Sequence, residues 1–244
     1  MPPAALLAKT TQLWEHLAGA GAEFAPAISV AVSPRSRICP PGWVGIVVIG
    51  NAVLATAPDQ ATARHVARAL DGLPADSLTD AGVLTRWLRV AQIRGPATLA
   101  YLDPADFRPR PGDVDARPLE ADDPGLRQFL LDADADDLEE SGMDEITSPA
   151  FAVAEHDHVV AAAGYRDWPC RTAHLSVLTA AAARRRGLAR AVASAAVAHA
   201  MREGKLPQWR ARPVASRRVA LTLGFRELGA QASVRLAHPP DRRP

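Results

Sequence analysis

The sequence predicts a mixed α/β fold, an α+β arrangement around a mixed sheet, and three observations predict it. Short apolar runs recur at 28–32, 43–49, 52–56, 151–155, 159–165 and 173–179, some parted only by turn residues such as Gly50-Asn51 and His156-Asp157-His158. Between and after them lie stretches with apolar residues at three- and four-residue steps, as in Ala63, Val66, Ala67 and Leu70, which is the period of a helix packed on one side. The proline-rich string Phe107-Arg-Pro-Arg-Pro-Gly-Asp113 lacks either period and divides the chain in two.

The chain has 244 residues and a formal net charge of +1. It can bury a large core without metals or bridges, and no global field favours nucleic acid or an anionic membrane. Its two cysteines, Cys39 and Cys170, read as free thiols. The apolar patch Ala4–Ala8 is interrupted by Lys9, Glu15 and His16 before it reaches the length of a signal core or a membrane span, so a soluble cytoplasmic protein is expected.

Residues 1–106 read as an accessory α/β region. Leu6–Leu17 is expected as a helix, Ile28–Val32 as a strand, and Trp43–Ile49 with Ala52–Thr56 as a hairpin. Helices over Ala61–Leu70 and Val83–Val90 and a short strand over Thr98–Leu102 follow. Cys39-Pro-Pro-Gly-Trp43 reads as a rigid turn that buries a tryptophan, not as a nucleophile. No catalytic constellation stands out here. The region is expected to cover an acceptor site, to mediate a homodimer, or to be a degenerate copy of the second half.

After a linker at 107–112, the second half, 113–237, opens on a short strand at Val114–Leu119. A helix through Leu126, Phe129 and Leu130 follows, with Asp122 or Asp123 as its N-cap. The acidic run Asp132–Glu145 lacks the ligand spacing of a calcium loop and reads as a solvated face. His156-Asp157-His158 reads as a hairpin tip, since two histidines and an aspartate without a third ligand make a poor metal site. No metal is expected. Residues 238–244 are expected as a disordered tail.

The segment Leu175–Arg202 carries the functional argument. A strand ending Leu175-Ser-Val-Leu-Thr179 runs through Ala180–Ala183 into Arg184-Arg-Arg-Gly-Leu-Ala189 and a long helix. A helix start offers unpaired N–H groups and partial positive charge, so a pyrophosphate binds there without a side-chain cage. Gly187 permits close approach, small Ala189 leaves the first turn open, and three arginines add charge.

Arg184-x-x-Gly187-x-Ala189 resembles the Arg/Gln-x-x-Gly-x-Gly/Ala motif of the GCN5-related N-acetyltransferase (GNAT) superfamily, which sits between that fold's fourth strand and third helix. Leu223-Gly-Phe225 is similar to the closing motif of the same superfamily, and the element order over 113–237 follows it: strand, two helices, hairpin, strand, loop, helix, strand over Pro207–Ala211, helix over Ala215–Leu223, and a terminal strand pair ending at Ser233–Leu236. The resemblance implies a GNAT acyltransferase fold with acetyl-CoA as cosubstrate and a small-molecule or peptide amine as acceptor. It implies that Val177, Leu178 and Thr179 splay from the neighbouring strand toward the pantetheine arm, that Arg184, Arg185, Arg186, Gly187, Leu188 and Ala189 contact the pyrophosphate, and that Ser216 lies near the cofactor. Two positions depart from the family pattern: Pro213 replaces a frequent asparagine, and Ala220 replaces the tyrosine that protonates the departing thiolate.

Acyl transfer needs a neutral amine, a polarising N–H and a proton acceptor. His174, on the strand before the loop, is the first candidate acceptor and Glu155 the second, while Tyr165 reads as lining an acceptor pocket or the core. Two other readings compete. A non-catalytic acyl-CoA binding or sensing module fits the missing tyrosine. A nucleic-acid partner would use Arg184–Arg186, Arg190, Arg210, Arg212, Arg217 and Arg218, but the aromatic interleaving that stacks on bases is poor.

Overall fold

Helix α1 (Ala4–Ala18) opens the chain, and its buried residues Leu6, Thr10, Leu13, Trp14 and Leu17 fall on one face at helical spacing. The structure, a computed structural model, describes residues 3–19, 21–110, 116–120 and 122–237. The chain divides into two compact units, one running to Leu99 and resuming at Leu228, the other spanning Ala100–Glu227.

In the first unit α1 is followed by β1 (Val30–Val32), β2 (Val44–Ile49), β3 (Ala52–Ala57), α2 (Gln60–Leu70), α3 (Ala81–Trp87) and β4 (Val90–Tyr101). Strands β2 and β3 form the expected hairpin, with Ile49 opposite Ala52. Both are apolar on both faces and almost wholly buried, which is why they read as continuous runs and not as alternating ones. Asp59 and Asp80 accept the Thr62 and Val83 amides at 2.8 and 2.9 Å and so fix the starts of α2 and α3. Both cysteines are free.

The second unit holds β5 (Arg117–Leu119), α4 (Pro124–Leu131), α5 (Ala135–Ser141), β6 (Ala150–Glu155), β7 (His158–Trp168), β8 (Thr172–Thr179), α6 (Leu188–Arg202), β9 (Leu206–Ala211) and α7 (Val214–Thr222). The last strand, β10 (Arg226–Leu236), returns the chain to the first unit, whose strand order is β1-β3-β2-β10-β4.

Strands β5 to β9 lie side by side in sequence order, antiparallel up to β8 and parallel between β8 and β9. The period of two sorts their side chains. Ala161, Ala163, Tyr165 and Leu175 pack under α6 against Val192, Ala196 and Trp209, while Ala152, Ala162 and Leu178 pack under α4 against Leu126, Phe129 and Met143. His156 and Asp157 take positive φ at the tip between β6 and β7, the geometry of a tight hairpin turn. Asp123 accepts the Leu126 amide at 3.0 Å and is the N-cap of α4. The acidic run forms α5 and a short 3-10 turn at Met143–Glu145, with Gly142 left-handed between them.

Three expectations are corrected. The boundary falls at Leu99/Ala100 instead of 107, because the proline-rich segment is bound along the second unit. Phe107 packs on its core, the Arg108 amide donates to Leu223 O at 3.0 Å, and the Arg110 amide donates to Ser194 Oγ at 3.1 Å. Residues 111 and 112 of that segment, 114 and 115 of the strand expected at its end, and the tail 238–244 lie outside the described residues.

The short strand at Thr98–Leu102 is the end of a twelve-residue strand, β4. Gly95 is there because β10 passes too close for a side chain: a Cβ would stand 2.7 Å from Gln231 O. The terminal strand pair is one strand, β10, antiparallel to β2 from Gly229↔Ile49 to Val234↔Val44. Gly229 is likewise a close approach and not a turn, since its Cβ would stand 1.8 Å from Val48 O. Among the described residues no helix is long and apolar enough to cross a membrane.

Candidate functional site

Strands β8 and β9 pair at only three positions, Thr172↔Leu206, Ala173↔Pro207 and His174↔Gln208. Beyond His174 the ladder stops although both strands continue, to Thr179 and Ala211. The edge of β8 from Leu175 to Thr179 is therefore open on the β9 side while its other edge stays paired to β7 up to Thr179↔Ala161. Main-chain groups on an open interior edge are strong donors and acceptors without ladder partners. Val177 faces the α6 side and Leu178 the α4 side of this edge.

At the wide end of the gap the chain turns through Ala181–Ala183 into Arg184–Gly187 and enters α6. Gly187, at φ 78°, is the left-handed residue at the N-cap, and the helix begins with no side-chain cap and no acidic residue in its first turn. The amides of Leu188, Ala189 and Arg190 thus have no carbonyl four residues back within the helix, and the dipole adds positive potential. Arg185 also takes positive φ, 63°, so the loop is wound to turn its backbone inward.

Charge is arranged around this loop. Arg184 is hydrogen-bonded to Asp137 and donates from Nε to Thr179 O at 3.3 Å. Arg186 forms a two-pronged pair with Glu155, and this guanidinium holds the Glu155 carboxyl below the usual carboxylate range. Arg185 makes no ion pair among the described residues. Arg110, which the sequence reading left in a linker, donates from Nη1 to Gly187 O at 2.5 Å. Two buried polar atoms beside the loop, Thr179 Oγ1 and Arg190 Nε, have no hydrogen-bond partner among the described residues. Unsatisfied buried donors next to an uncapped helix start suit an anion with several acceptor oxygens, such as a pyrophosphate. A cavity of about 340 Å³ borders Leu178, Thr179 and Ala180 on the α4 side, with Asp132, Asp134, Asp137 and Asp157 in its wall.

At the narrow end stands His174. Its ring stacks on Trp168 at 4.1 Å between centroids, and its Nδ1 is hydrogen-bonded to Gln208 Oε1. The residue as a whole is half-buried, but desolvation of the ring pushes its pKa down to about 3, and the charge of Arg210 adds to the fall. His174 is neutral at physiological pH and a weak base. Glu155 lies at the loop mouth, paired with Arg186, and not at this narrow end of the gap.

Ser216 accepts the indole N–H of Trp209 at 3.0 Å, which commits one lone pair to the core. Ala220 is buried in the cluster with Trp209 and Phe225, and so offers no proton donor. Pro213 precedes α7 at φ −70°, again without a side-chain cap. Tyr165 is a core residue: it is buried, with its hydroxyl 3.0 Å from His199 Nδ1 and Lys205 Nζ 4.9 Å from its ring centre.

The Leu223-Gly224-Phe225 motif gains a physical reason. Gly224 has φ 98°, and a Cβ there would stand 2.0 Å from Asp106 O, so the segment carrying Arg110 crosses directly against it. The carboxylate of Asp106 is clamped by Arg226 on both oxygens. Sequence reasoning missed Arg110 and Gln208. The first lies in a proline-rich string without periodicity; the second could have been marked as a lone amide in the apolar run Leu206-Pro-Gln-Trp209.

The solved structures similar to this chain include a GCN5-related N-acetyltransferase from Kribbella flavida, 17% identical over 65% of this chain and 63% of its own, with a TM-score of 0.48. They include an acetyltransferase of the GNAT family from Colwellia psychrerythraea, 14% identical over 64% of this chain and 60% of its own, at 0.47. A GCN5-related N-acetyltransferase-like protein from Streptococcus suis 89/1591 is similar along almost the whole length, 14% identical over 95% of this chain and 99% of its own, at 0.43. The chain thus spans under two thirds of the first two. No curated protein matches it. The family comparison matches residues 148–230, from the turn before β6 into β10, to the GNAT acetyltransferase model, which supports the GCN5-related N-acetyltransferase superfamily for the C-terminal half of the chain.

Proposed function

We propose that the second unit binds acetyl-CoA and transfers its acetyl group to a primary amine by direct attack on the thioester. The observation that carries this reading is the conjunction of an uncapped helix start, with Gly187 left-handed at its N-cap, and a β8 edge freed from β9 beyond His174. The first takes a doubly charged pyrophosphate; the second takes an arm that pairs with a strand edge. Leu188, Ala189 and Arg190 would offer main-chain amides to the phosphates, with Arg185, Arg190 and Arg110 supplying charge. Val177, Leu178 and Thr179 would offer the open strand edge.

When bound, acetyl-CoA supplies an activated acyl group whose thioester bond is cleaved as the amide forms. The residues of the chain hold the reacting groups in register and exclude water, a contribution that reaches several kcal/mol in oriented reactions, about 7 kcal/mol or more at best. His174 is a poor proton acceptor at a pKa of about 3, and Glu155 is engaged by Arg186. The amine therefore arrives neutral, and its proton leaves to solvent. With Ala220 buried, the departing thiolate also takes its proton from water.

The same two facts, a weak base and no tyrosine, favour a second reading: an acyl-CoA binding module without turnover. One experiment separates the two. Thermal-shift and calorimetric titration with acetyl-CoA and coenzyme A test the site, and thiol release from acetyl-CoA across a panel of primary amines tests the transfer. Saturable binding with amine-dependent thiol release supports the enzyme, binding without release supports the module, and no binding refutes both.

A further inference from the structure

Gln208 is wholly buried, at 0% exposure, and its Nε2 has no hydrogen-bond partner among the described residues. A buried amide donor left unpaired is costly, about 1–3 kcal/mol, and native structures keep few of them. This one stands at a particular place. His174↔Gln208 is the last register pair before β8 and β9 part, so the amide lies at the apex of the opening that the pantetheine arm would enter.

Its orientation is set by its neighbour. His174 is neutral, and with its Nδ1–H donating to Oε1 the carbonyl end of the amide is occupied and the NH2 end is left open. Stacking on Trp168 fixes the imidazole plane, and with it the amide. Arg210 and Arg166 lie close enough to disfavour protonation of His174, which would remove no donor from the pair but would drive two cations together. The device at the apex is a neutral donor held rigid in a water-poor setting, the arrangement that stabilises an oxygen gaining negative charge with little reorganisation.

We propose that Gln208 donates its unpartnered amide hydrogen to the acyl oxygen of a thioester seated where β8 and β9 part. This rests on the acetyl-CoA reading given above. Gln208 is then a catalytic residue, since it touches the reacting carbonyl, and His174 is a positioning residue that acts through it. The donor polarises the carbonyl in the ground state and strengthens its contact as the oxyanion forms.

The test compares acetyl-CoA with coenzyme A, which has the same nucleotide and arm but no acyl oxygen. Wild type, Gln208→Leu and Gln208→Met are titrated with each, and the carbonyl stretch of bound [1-13C]acetyl-CoA is recorded by difference infrared spectroscopy. The expected result is an unchanged affinity for coenzyme A, an affinity for acetyl-CoA lowered about 3- to 10-fold in both variants, and a carbonyl stretch that lies below the free value in wild type and moves back up in the variants. Equal losses for the two ligands would make Gln208 structural and overturn the proposal. So would a wild-type stretch no lower than that of free acetyl-CoA, a result that needs no variant to fold. Wild type that binds neither ligand would instead remove the acetyl-CoA site itself, and the role of Gln208 with it.

Discussion

Acidification should weaken the second unit through one side chain, His174. Its imidazole titrates near 6.5 in a solvated chain but only at about 3 when folded, so the unfolded state binds the proton first. Stability from this group is complete above pH of about 6.5 and is lost progressively as the pH falls toward about 3, the sign expected of a depressed folded-state pKa. Going from about pH 7.5 to about pH 5.5 raises the unfolded state's protonation weight roughly tenfold, a loss of about 1.4 kcal/mol, whereas the folded form stays neutral across the same interval. Amide exchange along the β7–β8 ladder, corrected for intrinsic rates, reads the opening free energy of this unit without averaging over the other. His174→Gln, which keeps a donor for Gln208 Oε1 but does not titrate, should flatten the loss to within a few tenths of a kcal/mol. An identical decline in wild type and variant over this window would refute the claim that a neutral, water-excluded imidazole closes the β8–β9 pairing. So would a His174 ring resonance that shifts between about pH 7.5 and about pH 5.5.

Gly187→Glu places a carboxylate at the loop and forces a side chain into φ 78°, with Cβ 3.1 Å from Arg110 Nη1; acetyl-CoA affinity by calorimetry should fall at least about 100-fold, with the melting temperature lowered only by the backbone strain of about 1–2 kcal/mol. Arg110→Ala removes the donor to Gly187 O and should weaken acetyl-CoA binding about 3- to 10-fold while shallowing its salt dependence, since one exposed cation at a phosphate site acts partly through screening. Gly224→Ala sets a Cβ 2.0 Å from Asp106 O in a left-handed residue and should cost about 3 kcal/mol or more, visible as a large drop in melting temperature, because the obstacle is main chain that cannot turn aside.

What the sequence made legible follows from how local each signal is. The β2–β3 and β6–β7 hairpins, the cap at Asp123, and the strand-loop-helix around Gly187 are each written within a few residues, by turn chemistry or by an unpaired helix start. Two glycines carry no such local signal. Gly95 and Gly229 sit inside strands because a neighbour from far along the chain comes within reach of their absent side chains. Proline misled for the same reason: Phe107–Arg110 has no period because it is neither helix nor strand, yet it is held by Leu223, Ser194 and Gly187, contacts 77 or more residues away. The pKa of His174 belongs to this class too, since nothing in Ala173-His-Leu175 announces that Trp168, Gln208 and Arg210 surround the ring.

The two ends of the β8–β9 gap impose opposite electrostatic demands, and the residues divide accordingly. At the wide end the ligand would bring fixed negative charge, and there the chain gathers Arg184, Arg185, Arg186, Arg190 and Arg110, two of them already balanced by Asp137 and Glu155 so that the empty loop does not repel itself. Full neutralisation would erase the attraction, so the helix start stays free of carboxylates and Arg185 free of a partner among the described residues. At the narrow end, on the proposed acyl transfer, the ligand's charge would exist only in the transition state. A cation placed there would carry the larger desolvation cost of a buried charge, whereas a neutral amide held by a neutral imidazole costs the smaller penalty of one unpaired donor and gains as charge develops. An arginine in place of Gln208 would therefore carry its uncompensated charge into a buried strand beside Arg210, and a histidine with an ordinary pKa would bring half a charge to the same place near neutrality. The depressed pKa of His174 keeps its ring from adding a second positive charge to the one that Arg210 already brings near this end of the gap.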